Sequence, residues 1–257
     1  MPEIHYLLLI ALLIVATVVW LQQRQTRNAG WVDVFWAWSV GIVGMSFLVT
    51  GSGALVPRMA AGVLLLLWSL RLGSHIFQRV SQESAEDGRY AAMREALGSK
   101  AQPVFLVFYW GQALLAWGFA LTFWVVAEQD QFAPSLVLLG VAIGLLAIAG
   151  EALADKQLAD FKKRPDSKGK TCREGFWRYS RHPNYFCEWL HWVSYPVMAI
   201  GAPHAGWLWV LPLAMFVFLW FVTGIPYTEK QALKSRGDDY RDYQRTTSAF
   251  FPWRPKS

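Results

Sequence analysis

Apolar residues run along this chain in long blocks, not in the two-residue alternation of a half-buried strand. Ile4–Gln23 and Val34–Pro57 carry no charge, Met59–Gln78 is interrupted by Arg71 alone, and Ala101–Ala127 and Gln131–Gly150 are clean. Each comes close to or exceeds the ~20 residues that a helix needs to cross a bilayer. Trp189–Thr228 is too long for one crossing and breaks at Gly201-Ala-Pro-His-Ala-Gly206, where Gly and Pro act as turn residues. The pattern predicts an all-α fold: one membrane-embedded domain over 1–257, a bundle of seven transmembrane helices. These fall near 4–23, 31–51, 57–77, 104–127, 133–153, 184–201 and 206–226, with a tail over 228–257. The first block is expected as a retained helix, because Met1-Pro2-Glu3 holds no basic residue and no small-residue cleavage site precedes Gln22-Gln23-Arg24.

Composition agrees. Charged residues make up 16% of the chain and hydrophobic ones 54%, against about 25% charged in a soluble domain. This excludes a disordered chain, a collagen and a coiled coil. Fifteen Trp and sixteen Phe suit a bilayer, where aromatic rings sit at headgroup level. The net charge of +6 lies in loops between apolar blocks, so no nucleic-acid partner is expected.

Basic residues alternate from loop to loop. Arg24 and Arg27 follow the first helix, and Arg79, Arg89, Arg94 and Lys100 follow the third. Nine lie between Lys156 and Arg181, and seven from Lys230 to Lys256; the other side holds Arg58 alone. By the positive-inside rule the N-terminus is outside, and the C-terminus and every large polar loop are cytoplasmic. Cys172 and Cys187 fall on the reducing side, where a disulfide is disfavoured. With only His182 nearby they fall short of a zinc ligand set, so no metal is expected.

Candidate chemistry gathers at that polar side. In Gly175-Phe-Trp-Arg-Tyr-Ser-Arg-His-Pro-Asn-Tyr-Phe-Cys-Glu188, Pro183 suits the first turn of a helix, whose free N–H groups favour an anion. Arg173, Arg178 and Arg181 crowd that point, while Asn184, Glu188 and Trp192 recur every four residues on one helical face. Ionisable residues at membrane depth are costly and suggest function. Here they are Arg71, His75 and Arg79 on the third helix, Glu151 and Asp155 on the fifth with Lys162 beyond, and Asp33 at the start of the second. No dinucleotide glycine fingerprint, phosphate loop, zinc-protease motif or nucleophile elbow is present. An arginine-rich surface gripping a phosphorylated cofactor, open to an apolar cavity for a lipid-like substrate, is the expectation.

Arg181-His-Pro-Asn-Tyr185 with Glu188 resembles the Arg-His-Pro-x-Tyr signature of a membrane superfamily of steroid 5-alpha-reductases, sterol reductases and isoprenylcysteine or phospholipid methyltransferases. Trp31-Val-Asp-Val-Phe-Trp36, Glu86-Asp-Gly-Arg-Tyr90 and Tyr240-Arg-Asp-Tyr-Gln-Arg-Thr-Thr-Ser-Ala-Phe-Phe-Pro-Trp253 narrow the resemblance to bacterial members of the steroid 5-alpha-reductase family. The resemblance implies an enzyme of the inner membrane that takes NADPH from the cytosol and reduces the C4–C5 double bond of a 3-oxo-Δ4 steroid or similar lipophilic enone. Hydride goes to the beta carbon and a proton to the alpha carbon. Its partners are that substrate and the lipid bilayer, with no obligate protein partner. Asp155 and Lys162 then fall at a cofactor-contacting motif, Arg173 at a basic position, and Asn184, Glu188 and Trp192 on an Asn-Tyr-Phe-Gly-Glu stretch, with Cys187 in place of its Gly. Asp87, Arg89 and Tyr90 match the polar loop after the third helix, and Arg79, Arg178, Arg181, His182 and Tyr185 complete the cofactor set. For the proton, Asp33 is the first candidate, as a desolvated and therefore protonated carboxyl, and His75 the second. Two rivals stand beside this reading: an S-adenosylmethionine-dependent methyltransferase of the same superfamily, and a membrane carrier without catalysis.

Overall fold

A computed structural model describes residues 3–82 and 85–256; Met1 and Pro2 of the expected first block, and Ser257 of the expected tail, lie outside the described residues. Those described form helices and connecting turns, with no strand. The helices are α1 (Glu3–Thr26), α2 (Trp31–Thr50), α3 (Leu55–Gln82), α4 (Gly88–Leu97), α5 (Ala101–Ala127), α6 (Pro134–Lys162), α7 (Pro183–Met198), α8 (Val210–Val217), α9 (Ile225–Arg236) and α10 (Asp238–Thr246). Among the described residues six segments are long and apolar enough to cross a membrane: His5–Thr26, Trp31–Thr50, Leu55–Gln82, Gly88–Ala127, Pro134–Lys162 and Ala205–Arg236. The segment expected at 184–201 is the 16-residue helix α7, a few residues short of a full crossing. The chain is an all-helical, multi-pass membrane protein. Lipid is the solvent for its outward apolar side chains, among them Ile10, Ile14, Leu138, Leu146 and Phe221.

The helices form two compact units, residues up to Phe132 with Gly201–His204, and Ala133–Ile200 with the residues from Ala205 on. In the first, α2 packs against α1, α3 and α5 and carries the core through Val32, Phe35, Val40, Val43 and Phe47. At one end of α2 the Arg58 guanidinium donates to the carbonyls of Leu48, Val49 and Gly53. The Leu48 and Val49 carbonyls are among the acceptors that a helix C-terminus leaves unpaired, so Arg58 caps α2 and also ties down the Gly53 carbonyl of the turn that follows. At the other end, the expected polar loop after α3 contains α4, started by Asp87 accepting from the Arg89 backbone N–H at 2.9 Å.

In the second unit α6 and α7 pack along their lengths. Gly140 makes this approach possible: a Cβ there would stand 2.7 Å from the Ser194 carbonyl oxygen and overlap Met198. Pro183 opens α7 at a position that needs no N–H. The segment expected as a tail contains two helices, the first beginning just before it. Pro226 opens α9, and Gly237, at φ +54°, ends it. Asp238 and Asp239 then sit in the first turn of α10, where carboxylates meet the positive end of the helix. Tyr240 and Tyr243, three residues apart, are its buried face.

Candidate functional site

The second unit encloses a cavity of about 570 Å³, within the range of small-molecule and cofactor sites. Its walls are the end of α6 (Leu158, Phe161, Lys162), the turn Ser167–Cys172, Trp177, the segment Arg181–Tyr185, and helices α9 and α10. Each wall is fixed by identifiable bonds. The Trp177 indole donates to the Ala154 carbonyl at 2.9 Å, and the Tyr243 hydroxyl donates to the carbonyls of Trp177 and Ser180. Gly175, at φ +56°, turns the chain against Gln157, whose Oε1 accepts from the Phe176 N–H at 2.9 Å.

Arg181, His182 and α9 are held together by Glu229. Its Oε1 accepts from Arg181 Nε at 2.7 Å and lies 3.3 Å from His182 Nε2. Gln244 Nε2 donates to Oε2 at 2.7 Å, and the Tyr240 hydroxyl donates to Oε1 at 3.4 Å. The other arm of Arg181 donates to the carbonyls of Gln244 and Thr247 at 3.1 and 2.6 Å. Burial holds the His182 imidazole below its ordinary pKa, a larger effect than the opposing pull of Glu229. The ring is therefore neutral at pH 7, stacked on Tyr185 at 5.2 Å with the planes 7° apart. Burial pushes the Cys172 thiol and the Tyr240 and Tyr243 phenols up, so all three stay protonated.

The lining contains five cations, Lys162, Lys168, Lys170, Arg181 and Arg236, and no carboxylate. Glu229 holds Arg181, and Asp166 lies 3.8 Å from Lys170. Lys162, Lys168 and Arg236 have no described carboxylate within ion-pair distance, and Arg236 rests instead on the Tyr240 ring at 5.0 Å. Thr171 lines the same cavity, 7% exposed, and its Oγ1 has no hydrogen-bond partner among the described residues. Unneutralised cations and an unpaired hydroxyl beside aromatic rings suit a ligand that is anionic at one end and flat at another.

Of the residues singled out in the sequence, Lys162, Arg181, His182, Asn184 and Tyr185 come together on the cavity. Asp155 stands behind them and accepts from Asn184 Nδ2 at 3.1 Å. Glu188 and Trp192 share a face as expected, joined by an indole-to-carboxylate bond of 2.8 Å, but both are buried in α7 and neither lines the cavity. Arg173 turns to α10, bonding Asp242 at 3.0 Å and the Asp239 carbonyl at 2.7 Å, and Arg178 points outward. Sequence reasoning missed Glu229, Arg236, Tyr240 and Tyr243. The three-residue spacing of the two tyrosines after an Asp-Asp start was the available signal.

The remaining candidates lie in the first unit. Asp33, the first proton-donor candidate, accepts from Arg89 at Oδ2 (2.9 Å) and from the Tyr90 hydroxyl at Oδ1 (2.7 Å). Asp87 accepts from Arg89 Nε at 3.0 Å and lies 3.8 Å from Arg79. Burial would raise the Asp87 carboxyl, but the bond and charge of Arg89 outweigh it and hold it below the ordinary carboxylate range. Beside this network Glu86 pairs with Arg94 at 2.7 Å and accepts from the Ala29 N–H. His75 is exposed on α3. Among the described residues no cluster of His, Cys, Asp and Glu could hold a metal ion.

A helical membrane protein with a cation-lined cavity at one end of its helices is the class that fold and site define. Residues 19–247 match the DUF1295 family, described as proteins of unknown function, and the chain belongs to it. It is 24% identical to an uncharacterised protein of the fission yeast Schizosaccharomyces pombe, over 93% of this chain and 77% of the relative. No solved structure matches.

Proposed function

We propose that the protein is an NADPH-dependent reductase of a lipophilic enone, of the kind that the steroid 5-alpha-reductases represent. One observation carries the reading: a cavity of cofactor size with five cations, no carboxylate and an unpaired buried hydroxyl. NADPH carries a pyrophosphate and a 2′-phosphate, and charge-assisted bonds to such groups are the strong ones. Lys162, Lys168 and Arg236 would hold the phosphates, Thr171 Oγ1 would donate to one of their oxygens, and the stacked His182–Tyr185 pair and Asn184 would flank a heterocycle. The bound cofactor supplies the hydride for the beta carbon of the enone. In the first unit the reading keeps Asp33 as the acid–base residue, working through Tyr90: the phenol holds the proton, and the carboxylate, anchored by Arg89, orients it. His75 remains the second candidate. S-adenosylmethionine, with a sulfonium and a single carboxylate but no phosphate, would leave most of these cations without a counter-charge.

The reading takes seven crossings, with α7 as the short one, and puts the cavity on the cytoplasmic side, which the loop charges support under the positive-inside rule. Under that reading the enzyme sits in a bacterial inner membrane with its cofactor entering from the cytosol. Titration of the purified chain in nanodiscs, read by nicotinamide fluorescence, tests the proposal. NADPH should bind more tightly than NADH. Lys162→Ala and Arg236→Ala should each weaken NADPH about ten- to a hundredfold, the equivalent of ~1.5–3 kcal/mol per charged bond. Equal affinity for the two nucleotides, or none, overturns it. A panel of steroid and shorter enones with mass-spectrometric product analysis then identifies the substrate.

A further inference from the structure

The segment after α10 lies antiparallel to the stretch between Trp177 and α7. Arg181 N–H donates to the Ser248 carbonyl at 2.8 Å, and Trp253 N–H donates to the Tyr179 carbonyl at 2.9 Å. Between them the Ser180 hydroxyl donates to the Phe250 carbonyl at 2.8 Å. The pairing gives two faces. Inward, Phe250 is fully buried against Phe186, Trp189, Phe216 and Trp220. Outward, Phe176, Tyr179, Phe251 and Trp253 stay exposed, Trp253 at 76%. Arg178 and Arg254 flank the Tyr179–Trp253 bond, one residue from each end, and Lys256 follows. All three are exposed, and no described carboxylate pairs with them.

We propose that this patch is a binding surface for anionic lipid headgroups in the leaflet that borders it. Three observations support that occupant over a protein. The patch is continuous with the membrane-spanning part, because the Phe251 ring packs on Trp189 of α7 and Phe216 of α8 at 5.7 and 6.2 Å. Phe216 lies within Ala205–Arg236, a segment long and apolar enough to cross a membrane, so the patch adjoins a crossing segment. Its residue types are those of that layer, where indole and phenol rings settle and Lys and Arg attract acidic lipids. Its unpaired charge is of one sign, complementary to such a headgroup. The same turn presents Phe176 and Tyr179 to the lipid and Trp177 to the cavity, so a headgroup on the outer face braces the cavity wall. The inference requires only that the chain is embedded in a bilayer and is independent of the cofactor and reaction proposed above.

Fluorine NMR on the full chain labelled with 5-fluorotryptophan, reconstituted in nanodiscs, tests it; Trp253→Phe assigns the resonance. In phosphatidylcholine discs Trp253 should be shielded from an aqueous gadolinium chelate relative to a free peptide of residues 248–256. Adding phosphatidylglycerol should shift its resonance, whereas inorganic phosphate should not. Each of Arg178→Gln, Arg254→Gln and Lys256→Gln should weaken the apparent affinity for phosphatidylglycerol about fivefold, as a charge near an acidic leaflet implies. These side chains are exposed, so an unchanged gel-filtration profile is expected to show that the variants fold. A Trp253 resonance that gadolinium broadens as in the free peptide, or that ignores phosphatidylglycerol, overturns the proposal and leaves the patch to a protein partner. A shift that survives all three substitutions overturns the charge argument.

Discussion

Glu229 offers the sharpest single perturbation of the second unit. Its carboxylate accepts from Arg181, Gln244 and Tyr240 and faces His182, with side chains 15% exposed for Glu229 and 11% for Arg181. Glu229→Ala leaves the Arg181 guanidinium buried with carbonyl partners only. Breaking a buried pair from one side costs about 3–5 kcal/mol. Glu229→Gln keeps the shape and part of the bonding and loses the charge, so the cost falls toward ~1.5–3 kcal/mol. Replacing both charges, as in Glu229→Leu with Arg181→Met, should recover most of the loss, because the penalty lies in the stranded charge and not in the missing pair. The buried thiol of Cys172 in the cavity wall reports local opening. Its maleimide labelling, followed by peptide mass spectrometry, scales with the open population, so Glu229→Ala should accelerate it roughly a hundredfold or more. Labelling at the unmodified rate in Glu229→Ala, or a double variant worse than both single ones, would refute the view of Glu229 as the hub of this unit.

Two further predictions concern charge elsewhere. Asp33→Asn should destabilise the first unit by about 1.5–3 kcal/mol, toward the low end because Arg89 keeps Asp87 as a partner. A Tyr90→Phe cycle should show coupling, since the phenol bonds the same carboxylate; strict additivity of the two changes speaks against the network. His182 has a folded-state pKa below its unfolded value of about 6.5, so folding disfavours its protonated form. Its contribution to stability is complete above pH ~6.5 and falls as the pH drops through that value toward the folded pKa. Cys172 labelling should accelerate accordingly between neutral and mildly acidic pH, and less so in His182→Gln; identical pH profiles for both proteins remove His182 as the cause.

Much of the fold is legible in the sequence because a bilayer leaves little choice: only a run of about twenty apolar residues with its backbone bonds satisfied internally can cross. The break at 201–206 reads correctly for the same reason. α4 reads as a loop because its charged residues hide the Asp87 cap, and α9 and α10 read as a tail because their apolar face is two tyrosines and little more. The candidate site divides along a different line. Arg173, Arg178 and Arg181 look alike in sequence, each within a few residues of the Arg-His-Pro-x-Tyr run, yet they face Asp239 and Asp242, open surroundings, and Glu229 respectively. What separates them is the position of carboxylates about fifty to seventy residues further on, which local spacing does not encode.

Asp33 shows the same limit from the other side. Desolvation alone argues for a protonated carboxyl, and the sequence offers nothing nearer than Arg27 to oppose it. The structure brings Arg89 and Tyr90 from α4 onto its two oxygens, fifty-six and fifty-seven residues away. The carboxyl that stands alone in the sequence is thus bonded in the fold to a guanidinium and a phenol. Under the proposed reading the Asp33 side chain orients and Tyr90 donates. Tyr90→Phe, which removes the proton and leaves the ion pair, is therefore the more informative change than Asp33→Asn, which disturbs both.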